Sequence, residues 1–173
     1  NKPLFNRALQ GTYPPGSTFK LINGLIALQE GAITKRKQFI CNGENGYSYG
    51  KDRNVGCHHH QNPVNLTKGI EISCNSYFCS TYDNYFNKFN STIKAYNNWY
   101  NHVASFGIGD YLGNDFITGA TGKLPKSSYF EKLYKGHWNA NTIISMAIGQ
   151  GELLLTPIQM ANMTAILANK GFY

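Results

Sequence analysis

Ser17 and Lys20 stand three residues apart in Tyr13-Pro14-Pro15-Gly16-Ser17-Thr18-Phe19-Lys20. On a helix, residues three apart share a face, so the lysine amine can lie beside the serine hydroxyl. A serine hydroxyl is a weak nucleophile at neutral pH and needs a base within hydrogen-bond reach. A lysine can be that base when burial lowers its pKa. The pair therefore permits acyl transfer through a serine ester. A serine at a helix start also serves as a plain N-cap, and a lysine can extend into solvent, so the spacing alone leaves these readings open.

Ser73-Cys74-Asn75 follows further along the chain. A second serine can pass a proton between a lysine and a leaving group, while an amide side chain orients a substrate. Ser73 and Asn75 also suit an ordinary turn.

Cys41, Cys57-His58-His59-His60 and Cys74 form another cluster with chemical potential. Thiolates and imidazole are the usual ligands of tetrahedral zinc, and Cys41, Cys57, His60 and Cys74 would make a closed structural site. A Cys41–Cys57 disulfide is a second reading, closing a loop of a size worth ~3 kcal/mol. Buried thiols beside a solvated histidine run are a third. Cys79 is expected in the core.

The elements that must position these groups can be read in outline. The first helix should run from about Ser17 to Glu30, crowded with apolar side chains and ended by Gly31. Its apolar residues exceed one stripe, which predicts burial on most sides. Residues 35–63 read as polar and irregular. A short helix is expected over 66–72 and a helical pair over 77–89 and 92–105. Residues 110–140 read as a long loop or small excursion. The last helix starts at Thr156 as N-cap with Pro157 in its first turn, and runs to Leu167 before Gly171.

The 173 residues suffice for one domain with a real core. Hydrophobic content of 42% and charged content of 14% mark a folded chain. The net charge of +7 is spread out, and its densest run is only Lys35-Arg36-Lys37. With no RNA-binding signature or basic repeat, no nucleic-acid partner is expected. No apolar run is long enough to span a membrane. The abrupt opening at Asn1-Lys2-Pro3 and the close at Gly171-Phe172-Tyr173 read as cuts within a larger protein.

Longer stretches carry a resemblance. Asn6-Arg7-Ala8-Leu9-Gln10-Gly11-Thr12 with the Tyr13–Lys20 segment resembles the active-serine segment of class B penicillin-binding proteins. Ser73-Cys74-Asn75-Ser76-Tyr77-Phe78 is similar to their second motif and the helix after it. Ile148-Gly149-Gln150-Gly151, with Leu155-Thr156-Pro157-Ile158-Gln159-Met160-Ala161, is similar to a later stretch of the same family. Within the class, the resemblance is to the elongation-associated penicillin-binding protein 2 branch.

The resemblance implies an α+β β-lactamase/transpeptidase-like fold, with residues 1–173 as a partial, mainly helical transpeptidase domain. It implies a D,D-transpeptidase that cross-links peptidoglycan and is acylated by β-lactams, in cell elongation and shape. Ser17 would be the nucleophile, Lys20 its base, Ser73 a proton relay and Asn75 a hydrogen-bonding partner of substrate and Lys20. Gly149, Gln150 and Gly151 would line the substrate. No cofactor is needed for catalysis. Some relatives in the branch hold a zinc near the active site, with aspartates among the ligands. Implied partners are stem peptides, β-lactams, and an elongation glycosyltransferase and scaffold proteins. The implied location is the periplasmic side of the inner membrane, with an N-terminal anchor outside this chain. A serine β-lactamase, a D,D-carboxypeptidase, a penicillin sensor and a zinc-braced non-catalytic module are the alternatives.

One departure matters. The family's third motif, Lys-Thr/Ser-Gly on a core strand, is missing. Thr121-Gly122-Lys123 has those letters in the wrong order and on the wrong side of Ile148-Gly149-Gln150-Gly151. The chain alone is therefore expected to show little turnover.

Overall fold

The computed structural model describes residues 4–113 and 119–171. Asn1-Lys2-Pro3, Phe172-Tyr173 and part of the 110–140 stretch lie outside them. A short helix α1 (Arg7–Gln10) opens the description, its first N–H groups taken by the Asn6 side chain. The chain then pairs with Leu155 through both backbone bonds of Tyr13, at 2.9 and 2.8 Å. Pro14 and Pro15 follow, and Gly16 turns the chain at φ +60°.

The expected helix over 17–30 has two parts, a 3₁₀ turn Gly16–Phe19 running into α2 (Lys20–Gln29). Ser17 lies inside this turn and not at its cap, which falls on Pro15. Gly31, at φ +63°, ends the unit as expected. Burial of α2 is less complete than its composition suggests. Ile22, Asn23, Ile26 and Ala27 are buried, but Leu21 and Leu25 are 37% and 43% exposed.

The remaining helices are α3 (Leu66–Glu71), α4 (Asn75–Phe86), α5 (Thr92–Ala104), α6 (Ser127–Leu133) and α7 (Pro157–Ala168). Local chemistry explains most of their starts. Asn65, Ser91 and Thr156 accept N–H groups of their first turns, and Thr156 and Gln159 form a reciprocal capping box. Cys74 caps α4 with its sulfur, 3.3 Å from the Tyr77 N–H. α4 and α5 begin and end within a few residues of the expected pair.

Three features depart from the sequence reading. The irregular 35–63 stretch contains an antiparallel hairpin, β1 (Tyr47–Gly50) with β2 (Arg53–Val55), in the register Tyr47↔Val55. The expected loop over 110–140 contains α6. Residues Ala140–Ile148, given no element in the sequence reading, form a 3₁₀ segment capped by Asn139. Its apolar residues lie among α2, α4 and the Ser17 turn, so packing and not periodicity defines it.

The core gathers Phe19, Ile22, Phe78, Tyr82, Tyr96, Trp99, Ile144 and Met146, each no more than 2% exposed. Side chains of this size contribute ~1.5–3 kcal/mol each on burial. Trp99 sits edge-on to Phe19 at 6.1 Å and to Tyr82 at 5.9 Å, which ties α5 to the serine turn and to α4. The architecture is that of a mainly helical part of an α+β fold. Among the described residues the hairpin is the only sheet.

Candidate active site

Helix geometry carries Lys20 into the core, where it is only 3% exposed. Its Nζ reaches the Ser73 carbonyl at 2.7 Å, Ser73 Oγ at 2.9 Å and Asn75 Oδ1 at 2.6 Å. The ring of Phe78 lies 5.7 Å from the same nitrogen. Burial lowers the Lys20 pKa, and the nearby thiol groups of Cys57, Cys74 and Cys79 act against that shift. The two motifs thus meet through one amine. None of its three partners is Ser17.

Ser17 lines a cleft of about 260 Å³ with Thr18, Lys20, Leu21, Ile70 and Ser73. Ser17, the Lys20 side chain and Ser73 therefore face one space. Ser73 holds φ +53°, a left-handed conformation uncommon for a residue with a side chain. The bend separates α3 from α4 and turns both the carbonyl and hydroxyl of Ser73 toward Lys20. Asn75, first in α4, uses both ends of its amide, because Nδ2 also donates to the Gly56 carbonyl at 2.8 Å.

Gly149 adjoins the serine turn through its carbonyl, which accepts the Gly16 N–H at 2.8 Å. Gly149 is buried, while Gln150 and Gly151 are exposed. These three do not line the Ser17 cleft. Thr121-Gly122-Lys123 is elsewhere. Lys123 pairs with Leu154, Thr121 accepts from Gln159, and the Lys123 amine lies over Tyr129.

Cys41, Cys57, His60 and Cys74 have their ligand atoms within 4.8 Å of one another. All four cysteines are free thiols. Cys57 Sγ is 3.8 Å from both Cys74 Sγ and His60 Nε2. A disulfide needs about 2.05 Å between sulfurs, whereas a tetrahedron with Zn–S of about 2.3 Å has edges near ~3.8 Å. His60 Nδ1 lies 3.0 Å from the Gln61 carbonyl, so an N–H there leaves the Nε2 lone pair facing the sulfurs. The donor set fits zinc. Burial works against the Cys57 thiolate, but hydrogen bonds from the Ser76 backbone, the His60 ring and the Asn75 and His58 backbone bring the thiol down to about 6. Burial pushes Cys74 up to about 12. His59 points away, beside exposed Glu44 at 4.0 Å.

Sequence reasoning did not foresee Asn62 or Gly56. Asn62 clasps the backbone of Cys41 from both sides, at 2.9 and 2.8 Å, and brings that cysteine to the His60 loop. The Gly56 carbonyl anchors Asn75. An asparagine before a proline carries a turn signal, but nothing in sequence identifies the carbonyl that will accept an amide.

The fold and this pair of motifs are those of a transpeptidase-type domain. The chain belongs to the penicillin-binding protein transpeptidase domain family, whose model matches residues 1–173. Its likeness is to the penicillin-binding protein 2 (MrdA) type. Peptidoglycan D,D-transpeptidase MrdA of Acinetobacter baumannii is 33% identical over 177 residues, covering 99% of this chain and 24% of the relative. The crystal structure of Pseudomonas aeruginosa PBP2 in complex with WCK 5153 superposes with a TM-score of 0.81 at 30% identity, over 98% of this chain and 37% of that one. A complex between PBP2 and MreC from Helicobacter pylori gives 0.78 at 25% identity, over 97% and 30%. The chain spans about a quarter of the length of the curated relatives it matches.

Proposed function

We propose that this chain forms the nucleophile-bearing part of a serine D,D-transpeptidase that cross-links peptidoglycan through an acyl-enzyme on Ser17. The observation that carries the reading is the buried Lys20 amine, held on Ser73 and Asn75 at the cleft that Ser17 lines. Ser17 Oγ attacks the carbonyl between the two terminal D-alanines of a stem peptide and gives its proton to Lys20. The Ser17 N–H, in the first turn of the helical unit, donates to the developing oxyanion. As the C–N bond breaks, Ser73 relays a proton to the departing D-alanine amine. A neighbouring stem's amine then attacks the ester, forms the cross-link amide and returns the proton to Ser17. A β-lactam opens on the same hydroxyl and stays as the ester.

Asn75 orients the substrate amide, and the exposed Gln150 and Gly151 present backbone and amide groups to the peptide. The chemistry needs no cofactor. Cys41, Cys57, His60 and Cys74 would hold a structural zinc, which would tie the loop bearing Gly56 to the start of α4. The elongation role, the glycosyltransferase partner and a site on the periplasmic face of the inner membrane follow from the family resemblance of the motifs alone, and a scaffold partner has the added support of the Helicobacter pylori PBP2 in complex with MreC.

A β-lactamase or carboxypeptidase would need a base that activates water. Glu71, the carboxylate nearest the second motif in sequence, is exposed and paired with Lys68 at 3.1 Å. The test is acylation of the complete gene product by a fluorescent penicillin, with Ser17→Ala as control. Stoichiometric labelling lost in the variant is expected, followed by transfer of a stem-peptide acyl group to an added amine. Equal labelling of the variant would refute the nucleophile. Labelling without transfer to any amine would indicate a penicillin sensor.

A further inference from the structure

Asn23 lies outside both motifs, yet its side chain joins the elements that carry them. It sits three residues beyond Lys20 on α2 and is 4% exposed. Its Nδ2 donates to the carbonyls of Met146 at 3.0 Å and Ala147 at 2.9 Å, and its Oδ1 accepts the Trp99 indole N–H at 2.8 Å. The amide has one orientation that works, because only the nitrogen can serve two carbonyls and only the oxygen can accept from an indole.

These carbonyls belong to the last turn of the 3₁₀ segment Ala140–Ile148. Carbonyls in the last turn of a helix are short of partners along the chain; Met146 accepts the Gly149 N–H at a long 3.2 Å, and Ala147 lies beyond that bond. Asn23 brings a donor from the nucleophile helix. Two residues past Ala147, Gly149 accepts the Gly16 N–H, and Phe19 packs edge-on against Trp99. The contacts close into a ring through the Ser17 turn, α2, α5 and the Gly149 corner.

We propose that Asn23 is a positioning residue, clamping the end of the 140–148 segment to the helix that carries Ser17 and Lys20. It thereby sets the spacing between the serine turn and the Gly149 corner that accepts the Gly16 N–H. The inference rests on the acyl-transfer reading of Ser17. An apolar side chain could fill the space, but the Ala147 carbonyl and the Trp99 indole N–H would lose their Asn23 partner, and the Met146 carbonyl would keep only the Gly149 N–H at 3.2 Å. The segment would then shift relative to the serine turn. Displacements of about 1 Å near a reacting centre cost on the order of 100-fold in rate.

The experiment compares Asn23→Ala with Met163→Ala in the complete gene product. Met163 is a buried core residue of α7 with no place in the acylation site, so its truncation serves as a stability control. Labelled-penicillin kinetics separate pre-covalent affinity from the acylation step. The expected result is an acylation step about 100-fold slower for Asn23→Ala, with pre-covalent affinity within about threefold of wild type. Met163→Ala, though less heat-stable, should acylate at the wild-type rate. Equal acylation by the two variants overturns the proposal.

If Asn23→Ala does not fold, Trp99→Phe decides, because it frees Oδ1 while leaving both Nδ2 bonds. A fall of about fivefold is expected, and no fall overturns the clamp. Hydrogen exchange of residues 146–151 gives a readout independent of chemistry. It should quicken in the folded Asn23 or Trp99 variant and not in Met163→Ala, and unchanged exchange also overturns the proposal. Absence of labelling in the wild type would instead count against Ser17 as nucleophile.

Discussion

Lys20 is buried because its helix is, and burial is what makes an amine useful as a base. Desolvation favours the neutral form, so the base should be populated at lower pH than for an exposed lysine, whose ordinary value is 10.5. The acylation rate of the complete protein is expected to rise with pH and level off above the lowered pKa. A pH–rate profile with its midpoint at or above the ordinary lysine value would contradict this. Ser73 raises a separate question, because its backbone and its hydroxyl have different tasks. At φ +53° a glycine is less strained than any residue with a Cβ. Ser73→Gly should match or exceed Ser73→Ala in denaturant stability by up to about 1 kcal/mol, while both lose the hydroxyl that faces Lys20. A Gly variant less stable than the Ala variant would show that the bend carries no strain.

At the scale of elements, the meeting of the serine turn with the 140–148 segment depends on a missing Cβ. Gly149 has φ +69°, and a Cβ there would lie 2.2 Å from the Gly16 carbonyl oxygen and 2.7 Å from Phe19 Cβ. Gly149→Ala must therefore push the two elements apart, and a loss of about 2–4 kcal/mol is expected on equilibrium unfolding. Gly16 also has φ +60°, but a Cβ there meets nothing within 4 Å. Gly16→Ala should cost only the backbone strain, about 1–2 kcal/mol. Equal losses for the two would show that close approach is not what Gly149 provides. The α7 capping box follows the Leu155 pairing with Tyr13, and Thr156→Ala should cost about 1 kcal/mol.

At the scale of the molecule, the loop over 41–63 and the start of α4 are joined at two neighbouring places. One is the Cys41, Cys57, His60 and Cys74 cluster, and the other is the Asn75 bond to Gly56. Elemental analysis of untagged protein should find about one zinc per chain, and chelation should lower the melting temperature. Less than about a tenth of a zinc per chain would sink the metal reading. The other face of α2 leaves Leu21 and Leu25 exposed beside Ile70. The 173-residue chain alone is expected to be acylated far more slowly than the complete gene product. Rapid stoichiometric labelling of the chain alone would show that view wrong.

Local sequence specifies the chemistry on offer and the helices with start signals of their own. Ser17-x-x-Lys20, Ser73-x-Asn75, the Thr156-Pro157 helix start and the Gly31 stop are short-range patterns, each written within a few residues. The mainly helical character followed from the family resemblance of these motifs. Tertiary structure alone decided what those groups face. That Lys20 reaches Ser73 and Asn75, that Gly56 and Asn62 hold their neighbours, and that Asn23 meets Met146 and Ala147 depend on residues up to 124 positions apart. The hairpin over 47–55 and the 3₁₀ segment over 140–148 escaped the reading for a related cause. Neither has a long periodic pattern, and packing against α4 and α2 stabilises conformations that local propensity leaves open.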